Sequence, residues 1–308
     1  MKRALLLAML CAFSLRTPAA TYYVIVAGLG GEPDYEQRFT AEAKELDRVF
    51  TAAGADSHVY TLTGPQATSA QLRQAFDAVA RDAKPDDDLV LILIGHGSFD
   101  GVEYKFNLVG PDVTAAEIAA MCDRVAARRQ LVVDTTSASG GAVRALERPG
   151  RAVIAATKSG TEKNATVFAR YWVEALQDPS ADTDKSDSIS AMEAFTYAAK
   201  KTAAFYDSQK RLATEHAVFE DVGAGDPVRE AENGQGLFMS SFTLLRGGSS
   251  VQAASDPAKR ALVTRKEKLE EEIDVLKFQK AAMDPQEYKK QLTGALVELA
   301  KVQEELDK

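Results

Sequence analysis

Leu89-Val90-Leu91-Ile92-Leu93-Ile94-Gly95-His96-Gly97-Ser98 is a run of branched apolar residues that passes without transition into Gly-His-Gly. Such a run reads as a strand covered on both faces, as in a sheet sandwiched between helices. An imidazole held between glycines just past that strand stands where an open α/β sheet presents its site. A second run, Leu131-Val132-Val133, enters Asp134-Thr135-Thr136-Ser137-Ala138-Ser139-Gly140-Gly141. Two buried strands, one ending in a histidine and one in a hydroxyl-rich turn, offer His96 as a base and Ser137 as a nucleophile position.

Outward from these strands the chain alternates. A β-rich opening over Thr21 to Ala27 closes in Gly28-Leu29-Gly30-Gly31. A helix over 34–53 follows, with Phe39, Ala43, Leu46, Val49 and Phe50 on one stripe and Gly54 as its stop. The pattern continues with a strand at 58–62 and a helix at 69–83 that turns Leu72, Ala75, Phe76 and Val79 inward. A hairpin or small strand falls within 102–109. The next helix, 114–127, opens on a capping box, Thr114 with Glu117. A strand at 152–156 and a helix at 166–176 carrying Trp172 complete the alternation. This order predicts a three-layer α/β domain on a mostly parallel sheet with right-handed crossovers. A polar loop over 178–187, a long helix over 190–212, a Gly- and acid-rich loop over 221–236 and a last apolar strand over 237–245 lead to a linker at 246–255.

The tail, 256–308, has another logic. Asp256-Pro257 and Asp284-Pro285 each place an N-cap before a proline, and Glu287 completes a capping box. Leu262, Leu269, Leu276 and Met283 recur every seven residues with Ile273 between them, and Leu292, Leu299 and Leu306 repeat the spacing with Leu296 at a d-like position. Two heptad helices and a tight turn predict an antiparallel helical hairpin. It either packs on its own domain or serves as a docking or oligomerisation arm.

The pattern of an apolar strand ending in His-Gly, then one ending in small-X-Ser-Gly, resembles the caspase–legumain clan of cysteine peptidases. His96-Gly97-Ser98 match a legumain-like His-Gly-Ser, Ser139-Gly140 match the Ser-Gly, and Ser137 falls where the cysteine belongs. The resemblance runs from Tyr22 to Leu245, and extends to strand order, to Ala155-Ala156-Thr157 and to Thr214-Glu215-His216. It implies a caspase/legumain-like domain over 21–245 with His96 and Ser137 at the catalytic positions and Gly97, Ser139 and Gly140 at substrate or oxyanion positions. In that clan a thiolate attacks the scissile carbonyl and the histidine protonates the leaving amine. A thiol suits the task because it is partly ionised near neutral pH. A serine needs a base hydrogen-bonded to it and a third group to orient that base. His96 is the base on offer and Asp134 the candidate orienter. The expectation is a protease-like module that is catalytically inactive and binds peptides or proteins. The alternative is an active peptidase, hydrolase or transpeptidase using Ser137 with His96.

Composition bounds the rest. Lys2 and Arg3, an apolar stretch over 4–15 and Pro18-Ala19-Ala20 form a secretory leader over 1–20, which predicts an exported, periplasmic or extracellular protein. Bulky Leu10 before Cys11 argues against a lipoprotein site. Without the leader the formal charge becomes three units more negative than −8, which argues against nucleic acid or anionic membrane as partners. No segment is long and apolar enough to span a bilayer. Cys122 is then alone, so no intrachain disulfide forms, and its helix stripe makes it a buried structural thiol. His58 reads as a surface or packing residue, His216 as a surface residue or one that orients a loop near the site, and no histidine pair has zinc-ligand spacing. Gly28-Leu29-Gly30-Gly31 fails as a dinucleotide loop, since the third spaced glycine is missing and Glu32 and Asp34 would repel a pyrophosphate. No cofactor is required. A single Ca2+ is the exception: Asp182, Asp184, Ser186, Ser188, Ser190 and Glu193 fall at positions 1, 3, 5, 7, 9 and 12 of a helix-flanked calcium loop. Asp187 stands at position 6, where glycine is usual.

Overall fold

The computed structural model describes residues 19–232, 234–256 and 258–308. The expected leader up to Pro18, with Cys11, and Pro257 of the first Asp-Pro pair lie outside the described residues. Six strands make the central sheet: β1 (Thr21–Ala27), β2 (Ser57–Leu62), β3 (Asp88–Ile94), β4 (Arg129–Asp134), β5 (Arg151–Ala155) and β6 (Val218–Glu220). Their spatial order is β6-β5-β4-β3-β1-β2. All neighbours are parallel except β6, which runs antiparallel to β5. The His96 strand β3 and the Ser137 strand β4 are therefore adjacent at the centre, with Leu93 opposite Asp134.

Alternate side chains of each strand enter different cores, as the two-residue period of a strand requires. On one face Ile25, Ile92, Ile94, Val133 and Ile154 pack under α1 (Pro33–Thr51), α4 (Phe168–Ala175) and α5 (Ala191–Ser208). On the other, Val24, Leu91, Leu93, Val132 and Val153 pack under α2 (Ser69–Asp82) and α3 (Ala115–Asp123). Each such fully buried side chain contributes roughly 1.5–3 kcal/mol against leaving it exposed. The capping box at Thr114 and Glu117 is formed.

A three-stranded antiparallel sheet, Gly97–Phe99, Tyr104–Phe106 and Val113–Thr114, is inserted directly after His96. Helix α5 ends at Ser208, short of 212, because Lys210 turns left-handed at φ 51°. The apolar run over 237–245 is not one strand. Leu237–Ser241 is a short helix, and Thr243–Arg246 pairs antiparallel with Ser188–Ser190, away from the main sheet. Gly236 at φ 112° breaks the chain there, and the buried Asp221 carboxylate accepts from Gly236 N and Met239 N, capping the helix. The expected linker is likewise helical, as α6 (Gly248–Ser255).

The tail forms α7 (Arg260–Gln279) and α8 (Pro285–Leu306), with Asp284 capping α8. Lys259 at the head of α7 donates to the Leu306 carbonyl at the end of α8, so the pair is antiparallel. Helix α7 packs back on the domain. It contacts the Leu237–Ser241 helix, buries Val263, Leu269 and Ile273, sends Lys266 Nζ to the Ser186 carbonyl and pairs Glu267 with Arg246. Leu296, expected in the seam, is 47% exposed.

Candidate functional site

The C-terminal ends of β1, β3, β4 and β5 converge at one edge of the sheet, and glycines let their loops touch. A Cβ at Gly97 would lie 2.5 Å from the Ser137 carbonyl oxygen and 2.6 Å from Thr136 Oγ1. One at Gly140 would lie 2.2 Å from Ser159 N. Both positions are closed to any side chain without movement of the backbone.

At Gly97 the Ser137 hydroxyl makes two bonds. Its Oγ donates to the Gly97 carbonyl at 3.0 Å and accepts from Gly97 N at 3.2 Å, and the residue is buried. The hydroxyl thus stitches the His96 strand end to the Ser137 turn through the main chain. The His96 ring goes elsewhere, edge-on to Tyr35 at 4.8 Å and to Phe39 at 5.2 Å on α1. Burial holds its pKa below the ordinary imidazole value, a hydrogen bond to the Gly30 main chain opposes that shift, and the Arg38 charge adds to it. The ring lies between aromatic groups.

Asp134, the candidate orienter, closes β4 in full burial, and its Oδ1 accepts from Thr136 N at 3.1 Å. Burial pushes its carboxyl up to about 6 against hydrogen bonds from Thr136 and Tyr104. Tyr104, from the inserted sheet, also meets Thr136 Oγ1 at 2.6 Å. No hydrogen bond joins Asp134 to His96 among the described residues. Asp134 serves the Thr136 turn, not the imidazole.

The remaining turn residues are engaged too. Ser139 Oγ accepts from Thr157 N at 3.1 Å, and Gly140 N donates to Thr157 Oγ1 at 2.9 Å, which ties the turn to the end of β5. Between them Ala138 is left-handed at φ 58° and donates to the Glu162 carbonyl at 2.8 Å. Glu162 Oε1 meets His216 Nδ1 at 2.6 Å. His216 is therefore half-buried beside the site rather than on open surface. Its neighbour Glu215 is buried and accepts from Val167 N and Phe168 N at the start of α4. The resemblance reached Glu215 within Thr214-Glu215-His216 but not its capping role, because a cap supplied from almost fifty residues away leaves no local pattern.

The acidic loop draws its carboxylates together. One carboxylate oxygen from each of Asp182, Asp184 and Glu193 lies within 4.8 Å of the others. Ser186 N donates to Asp182 Oδ1 and Asp184 Oδ1, at 3.1 and 3.0 Å, and Asp187 N donates to Asp182 Oδ2 at 3.1 Å. Asp187 adopts φ 62°, the left-handed conformation that makes glycine usual there. The Ser186 and Ser188 hydroxyls meet at 3.0 Å, while the Glu193 carboxylate accepts from Thr183 N and Ser190 N. Ser190 caps α5.

Two cavities among the described residues lie away from Ser137. One of about 330 Å³ sits at the opposite edge of the sheet, against α7, with Asp88, Arg129, Arg246 and Glu267 in its wall. A second of about 210 Å³ separates the acidic loop from α7, with Asp184, Glu193, Glu270 and Asp274 facing it. Cys122 is fully buried, which pushes its thiol up to about 11. His58 is exposed and stacks on Tyr22 at 4.8 Å. No helix among the described residues is long and apolar enough to cross a membrane.

No family model and no curated protein matches the chain. Among solved structures it is similar to protein GSU0716 from Geobacter sulfurreducens, with TM-score 0.46 and 14% identity over 69% of this chain and 96% of that one. It is also similar to the Drosophila initiator caspase Dronc, with TM-score 0.44 and 10% identity over 68% of this chain and 81% of that one.

Proposed function

We propose that this protein is an exported, non-catalytic relative of the caspase–legumain peptidases that works by binding a peptide or protein partner. The observation that carries this reading is the Ser137 hydroxyl, held at 3.0 and 3.2 Å on the carbonyl and the amide of Gly97. A serine acts as a nucleophile when a base takes its proton. Here that proton rests on a main-chain carbonyl, the imidazole packs against α1, and Asp134 binds the Thr136 turn. A fluorophosphonate probe tests the reading. The wild-type chain is expected to stay unlabelled. Labelling that disappears in Ser137→Ala would overturn it in favour of a serine peptidase or transpeptidase.

The conformation of Asp187 favours a second, accessory assignment, a single Ca2+ held by Asp182, Asp184 and Glu193 with the serine oxygens of the loop. Terbium luminescence excited through protein aromatic groups, displaced by Ca2+ and lost in Asp182→Asn, is the expected result. A terbium signal that Asp182→Asn leaves unchanged would remove the assignment.

A further inference from the structure

We propose, resting on the export reading, that hydrolysis of the Ala19–Ala20 bond turns Ala20 N into an α-ammonium seated on Asp87, so that removal of the leader fastens the start of β1. Three carboxylates follow one another at the head of β3, and two of them have cations. Asp86 pairs with Arg128 at 2.8 Å and Asp88 with Arg129 at 3.5 Å. Asp87 between them is 5% exposed, and no cation pairs with it among the described residues. Its Oδ2 accepts from Lys84 N at 2.8 Å and its Oδ1 from Ala20 N at 2.9 Å. A carboxylate taken out of water is costly unless a cation accompanies it. Of the two main-chain donors on Asp87, Ala20 N alone lies where a cut can free it.

Sequence and structure agree on the bond. Thr17 and Ala19 are the small residues three and one before it, the spacing at which leaders are removed. Ala19 is exposed and borders the cavity of about 330 Å³. The cut falls one residue earlier than the end of the leader expected over 1–20. A cut after Ala20 would discard the Asp87 contact and also the Ala20 carbonyl that accepts from Asp88 N at 2.9 Å. Hydrolysis by a leader peptidase puts the hydroxyl of water on the Ala19 carbonyl carbon and its hydrogen on Ala20 N, which takes a further proton at neutral pH. The amide donor on Asp87 thereby becomes a charge-assisted one. Next to it Thr21 N donates to the Asp56 carbonyl at 2.9 Å, so β1 is held at its first residues to both β3 and β2.

Calorimetric melts of a chain beginning at Ala20 and of one beginning at Pro18 compare the same fold with the charge in place and displaced. The Ala20 chain is expected to melt at least about 2 °C higher, and Asp87→Asn to abolish the difference. Equal melting temperatures, or a difference that survives Asp87→Asn, overturn the proposal. If Asp87→Asn fails to fold, the unsubstituted Ala20 chain decides. Its α-amino group is expected to titrate, by NMR, above the ordinary value of about 8, and a value at or below that overturns the seat on Asp87. The intact mass of the full chain recovered from an exporting bacterial host tests the cut, and a protein beginning at Ala20 is expected. A chain that keeps its leader overturns the export reading together with the cut, whereas cleavage at another bond overturns this proposal and leaves export standing.

Discussion

Ser137 stands where the resembled peptidases carry their thiol, yet its surroundings make it a fastener. Removing the hydroxyl in Ser137→Ala leaves the part-buried Gly97 amide without the acceptor at 3.2 Å. An orphaned buried donor costs about 1–3 kcal/mol. A fall of that size in the unfolding free energy, read from urea denaturation, is the expected outcome, and an unchanged midpoint would mean that the hydroxyl does not hold the two turns together. His96 and Ser137 were legible in the sequence as strand-end residues, because the apolar runs before them are unambiguous. Their disconnection was not. It depends on Gly97 rather than His96 meeting the Ser137 turn, and on Tyr35 and Phe39 of a helix some sixty residues earlier claiming the imidazole. Asp134 teaches the same thing, since nothing local tells which turn a buried carboxylate will serve.

Among the elements, the alternating strands and amphipathic helices of the first half follow their periodicity closely, and the departures cluster where short apolar runs are ambiguous. Leu237–Ser241 could be strand or helix by composition, and a left-handed Gly236 with a cap from Asp221 decided it. Val218–Glu220 is too short to carry a pattern of its own and exists because the edge of β5 offers it partners. The hairpin was legible from its heptads, but its attachment was not, because Leu269 and Ile273 of the repeat are buried together with Val263, which lies outside it, and a heptad repeat does not say what covers it. That attachment carries a titratable group. Burial raises the Glu270 carboxyl to about 7, with Lys266 opposing and Asp184 adding. The folded state therefore holds this proton more tightly than the unfolded chain does. The contribution of Glu270 to the hairpin's hold on the domain is full below the unfolded pKa of about 4.5 and is lost as pH rises through about 7. Glu270→Gln should remove this pH dependence, seen as equal resistance of α7 to limited proteolysis on either side of neutrality. A persistent slope would assign the effect to other groups.

At the scale of the whole molecule the same sign recurs. Burial also raises Glu42 to about 7 and Asp88 and Asp134 to about 6, while the lowered His96 acts in the opposite direction below its ordinary pKa. Carboxylates outnumber the imidazole, so thermal stability should fall between about pH 5 and about pH 8. Thermal melts in low-salt buffers across that range check it, and a rising melting temperature would contradict it. A flat two-state description will not serve for such melts, because the sheet domain and the hairpin are held by different contacts. The lone tryptophan separates them. Trp172 is fully buried in α4 beside Phe168, in the core shared with α1 and α5, and the tail beyond Arg246 contains no tryptophan. Its emission is consequently blue-shifted and blind to the departure of α7 and α8, which together hold most of the helix in the tail and dominate the change in circular dichroism when they leave. Recording both signals on one sample turns a single buried indole into a means of timing the hairpin against the domain that carries it.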